Sequence, residues 1–283
     1  MSITITVLCE NTATFGTRTI GEHGFSAFIE TETGNFLFDT GGGNTLMYNA
    51  TILRKDLRTT NKLLLSHSHY DHTGGLLSFL QFAGPTEVIV HPDLFVDRFV
   101  RRVRAGVEVE IPSGIPFSKE YITRMGAQFT FIENFYEIEN GFFATGEVPR
   151  ITHFENGDPN FYMNREDKTE KDNIIDDLSL VFDTKKGFII VCGCAHAGLI
   201  NIITHIKNTL GNRNIYALVG GTHLGLSSRE QREETIKLLK EYHIEKFLVS
   251  HCTGINGMFR LYDEFGDNVL PATAGTVMKF DGM

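Results

Sequence analysis

The stretch Ser66-His67-Ser68-His69-Tyr70-Asp71-His72-Thr73-Gly74-Gly75 sets four metal-binding side chains close together. It lies between Lys62-Leu63-Leu64-Leu65, an apolar run that reads as a buried strand, and Leu76-Leu77-Ser78-Phe79-Leu80, which reads as a helix. A strand-to-helix turn can aim His67 and His69 the same way while Asp71 and His72 open the helix. Imidazole and carboxylate together suit a zinc-like ion, and the spacing points to a metal site rather than to a polar loop rich in histidine.

Three more histidines fall just past the ends of predicted strands. Gly187 to Val191 runs into Cys192-Gly193-Cys194-Ala195-His196-Ala197-Gly198. Ile215 to Val219 runs into Gly220-Gly221-Thr222-His223-Leu224, and Lys246 to Val249 into Ser250-His251-Cys252-Thr253-Gly254. Helices are predicted over Leu199–Leu210 and Arg229–Tyr242, so the strands alternate with helices, and in such sheets ligand sites collect at this strand edge. His196 and His251 are therefore candidate ligands, and His223 is either a further ligand or a group facing the substrate. Cys192, Cys194 and Cys252 read as small buried residues beside the site, because thiolate zinc sites usually bring at least two cysteine pairs.

The rest of the chain must position these groups. The first forty residues read as strands: Ile3 to Leu8, Gly24 to Glu30, and Asn35 to Phe38 running into Asp39-Thr40-Gly41-Gly42-Gly43. Asp39 is expected to brace the histidine turn as a hydrogen-bond acceptor. His23 opens a strand and is a candidate substrate contact. A helix is predicted over Asn44–Leu57, a strand over Glu87–Val90 and a helix over Leu94–Val103. In the last of these, Arg98, Arg101, Arg102 and Arg104 read as a solvated face, with anion contact as the alternative. Strands are expected over 128–133 and 141–145, and residues from about 92 to 177 otherwise form an irregular insertion that could act as a lid. Asp172, Asp176 and Asp177 read as solvated acids at its end.

Composition bounds the rest. The 283 residues can bury a large core, and an apolar fraction of 41% with 22% charged is ordinary for a soluble globular protein. No run approaches the roughly 18 apolar residues of a membrane span, and the alternating N-terminus lacks a signal-peptide pattern. Four cysteines fit a reduced, cytoplasmic setting better than a disulfide scaffold. A net charge of −9 argues against nucleic-acid binding, without excluding an anionic small substrate at a cation site. The oligomeric state is left open.

His67, His69, Asp71 and His72 stand as the His-x-His-x-Asp-His signature of the metallo-β-lactamase superfamily, which the whole chain resembles from Asp39 to His251. The resemblance implies a single domain over 1–283 of the α/β class: an αββα sandwich of two mixed sheets packed face to face, helices outside. It further implies one or two divalent ions, zinc first, with manganese or iron admitted by the same donors. His67, His69 and His196 would hold the first ion; Asp71, His72 and His251 would hold the second. Glu22-His23-Gly24, Gly193 to Gly198, Gly220 to Leu224 and His251 to Gly254 also resemble the branch that includes archaeal dihydropterin–ribofuranosylaminobenzene phosphate synthases. One departure stands out. Dinuclear hydrolases of the superfamily usually place a bridging aspartate where this chain has Gly220-Gly221-Thr222-His223.

The expected chemistry follows from the metals. Two ions about 3.5–4 Å apart can polarise a phosphoryl or acyl oxygen and share a hydroxide, and Asp71 can orient the water or take its proton. His223 would protonate the leaving group, and His23 and His223 would contact the substrate. Hydrolysis of a phosphorylated or otherwise anionic small molecule is the first expectation. A transferase joining a dihydropterin diphosphate to an aminobenzene ribofuranosyl phosphate is the second, and a metal- or ligand-binding protein without turnover the third.

Overall fold

The computed structural model describes residues 2–282. The chain opens with β1 (Ile3–Cys9), β2 (Ser26–Glu30) and β3 (Asn35–Phe38), then α1 (Leu46–Ile52), β4 (Thr60–Leu64), α2 (Tyr70–Thr73), α3 (Leu76–Ala83) and β5 (Thr86–Val90). After β6 (Asp97–Arg104), β7 (Val107–Pro112) and α4 (Lys119–Arg124) come β8 (Ala127–Phe131), β9 (Tyr136–Glu139) and β10 (Phe142–Ala144). Next are β11 (Phe161–Arg165), β12 (Lys168–Lys171), β13 (Ser179–Thr184), β14 (Gly187–Cys192), α5 (Leu199–Leu210) and β15 (Ile215–Gly221). The chain ends with α6 (Arg229–Glu241), β16 (Lys246–Ser250), α7 (Gly254–Phe265), β17 (Val269–Pro271) and β18 (Val277–Phe280).

Two seven-stranded mixed sheets form the frame, ordered β18-β1-β2-β3-β4-β5-β8 and β17-β16-β15-β14-β13-β10-β9. Their facing sides share one apolar cluster, with Ile5, Phe38, Leu64 and Ile89 from the first sheet and Leu180, Phe182, Ile189 and Val191 from the second. The opposite faces are covered by helices. Leu37, Leu63 and Val88 pack with Leu46, Phe79 and Ile122 on one side; Phe188, Ile190 and Leu218 pack with Ile202, Ile236 and Leu261 on the other. This is the αββα sandwich. Its central strands are buried on both faces, so their sequences read as continuous apolar runs. Helix α5 buries Leu199, Ile202, Ile203 and Ile206, the i, i+3, i+4, i+7 stripe that docks it on the second sheet.

The strands expected over 128–133 and 141–145 are β8 and β10, and the rest of the stretch 92–177 is not irregular. The stretch holds β6 to β12 and α4: β8 joins the first sheet, β9 and β10 join the second, and β12-β11-β6-β7 make a separate four-stranded antiparallel sheet. The helix expected over 94–103 is the strand β6. Its pattern has period two, Arg98, Val100, Arg102 and Arg104 alternating with Phe99, Arg101 and Val103, and both of its edges are paired. The helix expected over 44–57 is limited to α1, with a short 3-10 turn at Leu57–Thr59. The elements after His251 carried no expectation. No helix among the described residues is long and apolar enough to cross a membrane.

Parallel register places the site. Cys192 pairs with Gly220, and Gly221 with Ser250, so β14, β15 and β16 end side by side. The loops beyond them meet the turn after β4 at one edge of the sandwich.

Candidate metal centre

The ligand atoms of His67, His69 and His196 lie within 4.8 Å of one another. Burial, reinforced by neighbouring imidazoles, pushes the pKa values of His67 and His196 far below the ordinary histidine value, and burial takes His69 down to about 3. All three rings are therefore neutral. Nε2 of His69 and both nitrogens of His196 are buried without a hydrogen-bond partner. Neutral imidazoles converging with unused lone pairs are costly unless a cation sits among them, so these residues fit a divalent ion.

A second set lies alongside. His251 Nε2 is 3.3 Å from His72 Nε2 and 3.3 Å from Asp71 Oδ2, and the His72–Asp71 separation is 3.9 Å. The far nitrogens of both rings are engaged: His72 Nδ1 bonds Asp39 Oδ2 at 2.6 Å and His251 Nδ1 bonds Asn11 Oδ1 at 3.0 Å. Those acceptors hold a proton at each Nδ1, so Nε2 is the nitrogen that faces inward on both rings. Burial opposes charge on His72, yet Asp39 and Asp71 raise its pKa to about 9. Asp71 is itself buried, and the facing His72 and His251 hold its carboxyl far below the usual range.

Asp39 braces this arrangement. It accepts from the Ser66 N–H and from the Ser66 hydroxyl, each at 2.7 Å, besides its bond to His72. Ser66 Oγ in turn lies 2.9 Å from His67 Nδ1, which orients that ring. Gly193 is required here because a Cβ would lie 2.2 Å from Ser66 Oγ. Asp39, Ala195, His223 and His251 all adopt left-handed backbone, a conformation disfavoured for residues with a Cβ. Strain of this kind collects at functional sites.

The other candidates fall as follows. His23 is exposed, with Nδ1 3.2 Å from Asp71 Oδ2. His223 is buried beside His196, ring centroids 4.3 Å apart, and groups with Cys194 and Cys252 rather than with the three-histidine set. Burial disfavours its charge, but the Cys252 sulfur beside it raises its pKa. Cys192 faces the helix side of the second sheet, away from the site. The acids after β12 are not solvated: Asp172, Asp176 and Asp177 are all buried. Asp176 accepts from the Ser68 N–H and from Arg98, Asp172 pairs with Arg98, and Asp177 accepts from the Ala197 N–H. Arg98 is likewise no solvated face; it is fully buried and also reaches the Ser68 hydroxyl. Pairing is the condition on which such charges can be buried.

Sequence reasoning missed Glu10 and Asn11, which hold the His251 backbone N–H and ring. They follow β1 at the same edge, and that position was the available signal. It also missed the cavity wall. A cavity of about 510 Å³ opens over the site, lined by His23, Tyr70 and Asp71 on one side and by Val100, Arg102, Arg104 and Phe161 of the four-stranded sheet on another. Phe161 stacks on the His69 ring with centroids 4.8 Å apart.

Fold and site define a class, and comparison with known proteins agrees. A family model described as the metallo-beta-lactamase superfamily matches residues 20–157. The crystal structure of Tm1679, described as a metal-dependent hydrolase of the beta-lactamase superfamily, superposes with a TM-score of 0.84 at 28% identity and covers 98% of both chains. The chain belongs to the metallo-β-lactamase superfamily. Among curated relatives, it is 27% identical over 288 residues to 7,8-dihydropterin-6-methyl-4-(beta-D-ribofuranosyl)-aminobenzene-5'-phosphate synthase of Methanocaldococcus jannaschii, spanning 99% of this chain and 97% of that one. It is 31% identical over 266 residues to an uncharacterized protein of the same organism, spanning 91% and 93%.

Proposed function

We propose that the protein is a metal-dependent enzyme that hydrolyses a bond next to an anionic group of a small molecule. His67, His69 and His196 would hold one divalent ion, zinc first, and Asp71, His72 and His251 a second. What such ions supply when bound is Lewis acidity toward a phosphoryl or acyl oxygen and activation of water. The observation that carries the reading is the cavity itself. Its floor carries His69 and His196 of one ligand set and Asp71 and His251 of the other, and its wall presents Arg102 and Arg104, which have no acidic partner among the described residues.

The chain's own residues then divide the work. Arg102 and Arg104 bind the anionic part of the substrate, with His23 at the mouth as a further contact. Val100, Ile111, Phe161 and Leu226 line an apolar wall suited to a flat or hydrocarbon portion. His223, raised in pKa and facing the cavity, holds a proton for the leaving oxygen. Asp71 orients the attacking water, and the four-stranded sheet covers the site from one side.

A second reading has its own support. The likeness to the named synthase runs over nearly the whole chain, and the same cavity would suit transfer, with an aromatic nucleophile in place of water and a pyrophosphate leaving group. Assay of the zinc-, manganese- or iron-loaded protein against phosphodiesters, lactones, and a dihydropterin diphosphate with and without the aminobenzene ribofuranosyl phosphate tests both. Turnover that needs no second substrate supports hydrolysis, and condensation alone supports transfer. Tight binding without any turnover would overturn the enzyme reading.

A further inference from the structure

Two thiols lie against the second ligand set with no role in the proposed reaction. Cys194 Sγ, buried, points at His72 Nε2 from 3.2 Å. Asp39 already holds a His72 proton at Nδ1, so Nε2 is the nitrogen aimed at the sulfur, and the His251 Nε2 faces the same space. Acceptors crowded this way need a cation or a proton between them. The spacing suits a cation: two ligands at the tetrahedral angle around zinc lie about 3.3–3.6 Å apart for N–N and N–S pairs. The observed 3.2, 3.3 and 3.3 Å for Cys194–His72, His72–His251 and His251–Asp71 are close to those edges, and His72–Asp71 is wider at 3.9 Å.

The charge and the space around the set agree. Asp71, His72 and His251 supply one negative charge to a dication. No carboxylate follows β15, and none would fit on its last residue: a Cβ on Gly221 would lie 2.7 Å from Cys252 Sγ and 3.2 Å from Cys194 Cα. The cysteines occupy that space instead. Between the two thiols the geometry also discriminates. Cys252 Sγ lies 3.2 Å from the Cys194 carbonyl oxygen and accepts the His223 backbone N–H at 3.3 Å, so its contacts fall within the loop. Cys194 Sγ is directed at the imidazoles, within 4.8 Å of the ligand atoms of both His67 and His72.

We propose that Cys194, as a thiolate, is a ligand of the second metal ion, completing Asp71, His72 and His251 and making that position softer than the three-histidine position. A thiolate shifts preference toward zinc, cobalt(II) and iron(II) and away from magnesium and manganese. The inference rests on the metal-centre reading above, and the test separates the two.

Full-length protein stripped with chelator and titrated with cobalt(II) should develop a near-ultraviolet sulfur-to-cobalt charge-transfer band as the second ion binds. In Cys194→Ser the band should fall at least roughly tenfold, while the visible bands of cobalt at the three-histidine position persist and report a folded protein. Cys252→Ser should keep the charge-transfer band, and Cys194→Asp should lose it while still binding two ions. X-ray absorption on the unmutated zinc protein, which needs no variant, should show a sulfur scatterer at about 2.3 Å. Bound cobalt with no charge-transfer band, a band that survives Cys194→Ser, or zinc without sulfur would overturn the thiolate assignment and leave the His/Asp centre standing. Failure to bind any cobalt would overturn both.

Discussion

The sandwich and the four-stranded sheet face each other across one cavity and are held together by different forces. The central strands of the sandwich bury both faces, and hydrophobic burial fixes them independently of any single contact. The small sheet has little apolar surface to bury; β12 is exposed along its whole length. It is tied to the metal loop through Arg98, which reaches Asp172, Asp176 and Ser68. The comparison teaches a division of labour. On the proposed function, ligand geometry would belong to the rigid strand ends, and substrate contact to an appended sheet anchored through Arg98.

The largest effect should come from breaking the rigid side. His196→Ala should lose one ion per chain and abolish turnover, read by elemental analysis and assay on the same sample. Asp39→Asn leaves the ligands in place but weakens their brace, and should lower metal affinity by roughly 10–100-fold. Equal losses in the two variants would contradict the assigned roles.

Next comes the anchor. Arg98→Ala leaves Asp172 and Asp176 buried without their cation, which should cost about 3–5 kcal/mol in chemical denaturation. Hydrogen exchange should show where the cost falls. Amides of 97–112 and 161–171 should lose protection, while β13 to β16 keep theirs. Uniform loss across both regions would mean that the two are one cooperative unit.

The same contrast decides what was legible in the sequence. Strands buried on both faces write themselves as apolar runs, so β14, β15, β16 and the apolar end of β4, and the positions of His67, His196, His223 and His251 just beyond them, could be placed without coordinates. The stripe of α5 was equally plain. Strand β6 was not, because its alternate positions are arginines, one buried in an ion cluster and two facing a cavity, which imitates a charged helix face. Asp172, Asp176 and Asp177 looked solvated because nothing local shows that Arg98 and the Ala197 N–H, far away in sequence, are their partners. Left-handed backbone at Ala195 and His251 is likewise invisible in residues that usually avoid it.

A smaller effect probes the junction between the two regions. Burial raises the Asp177 carboxyl from the ordinary 3.8 to about 6. In the metal-free protein its contribution favours folding below pH 4 and is lost as pH rises through about 6. At neutral pH the buried charge then costs on the order of 3 kcal/mol. Asp177→Asn keeps an acceptor for the Ala197 N–H and removes that charge. It should raise the melting temperature at pH 7.5, with the difference shrinking toward pH 4. A constant difference across that range would assign the effect to packing rather than to ionisation.

The smallest effect separates the two faces of β6. Arg102 and Arg104 line the cavity, whereas Arg101 points to the other face, pairing with Glu110 and lying over the Tyr162 ring. Arg102→Ala should raise KM for an anionic substrate roughly tenfold, equivalent to about 1.4 kcal/mol, with kcat, bound metal and melting temperature unchanged. Arg101→Ala removes the same charge from the same strand and should leave KM where it was. Because Arg102 is solvent-exposed, salt should erode its contribution, and the gap between wild type and Arg102→Ala should narrow as ionic strength rises from about 0.05 to 0.5 M. If Arg101→Ala matched Arg102→Ala at every salt concentration, the arginines would act only through the general field of the sheet. The cavity wall would then lose its claim to choose the substrate.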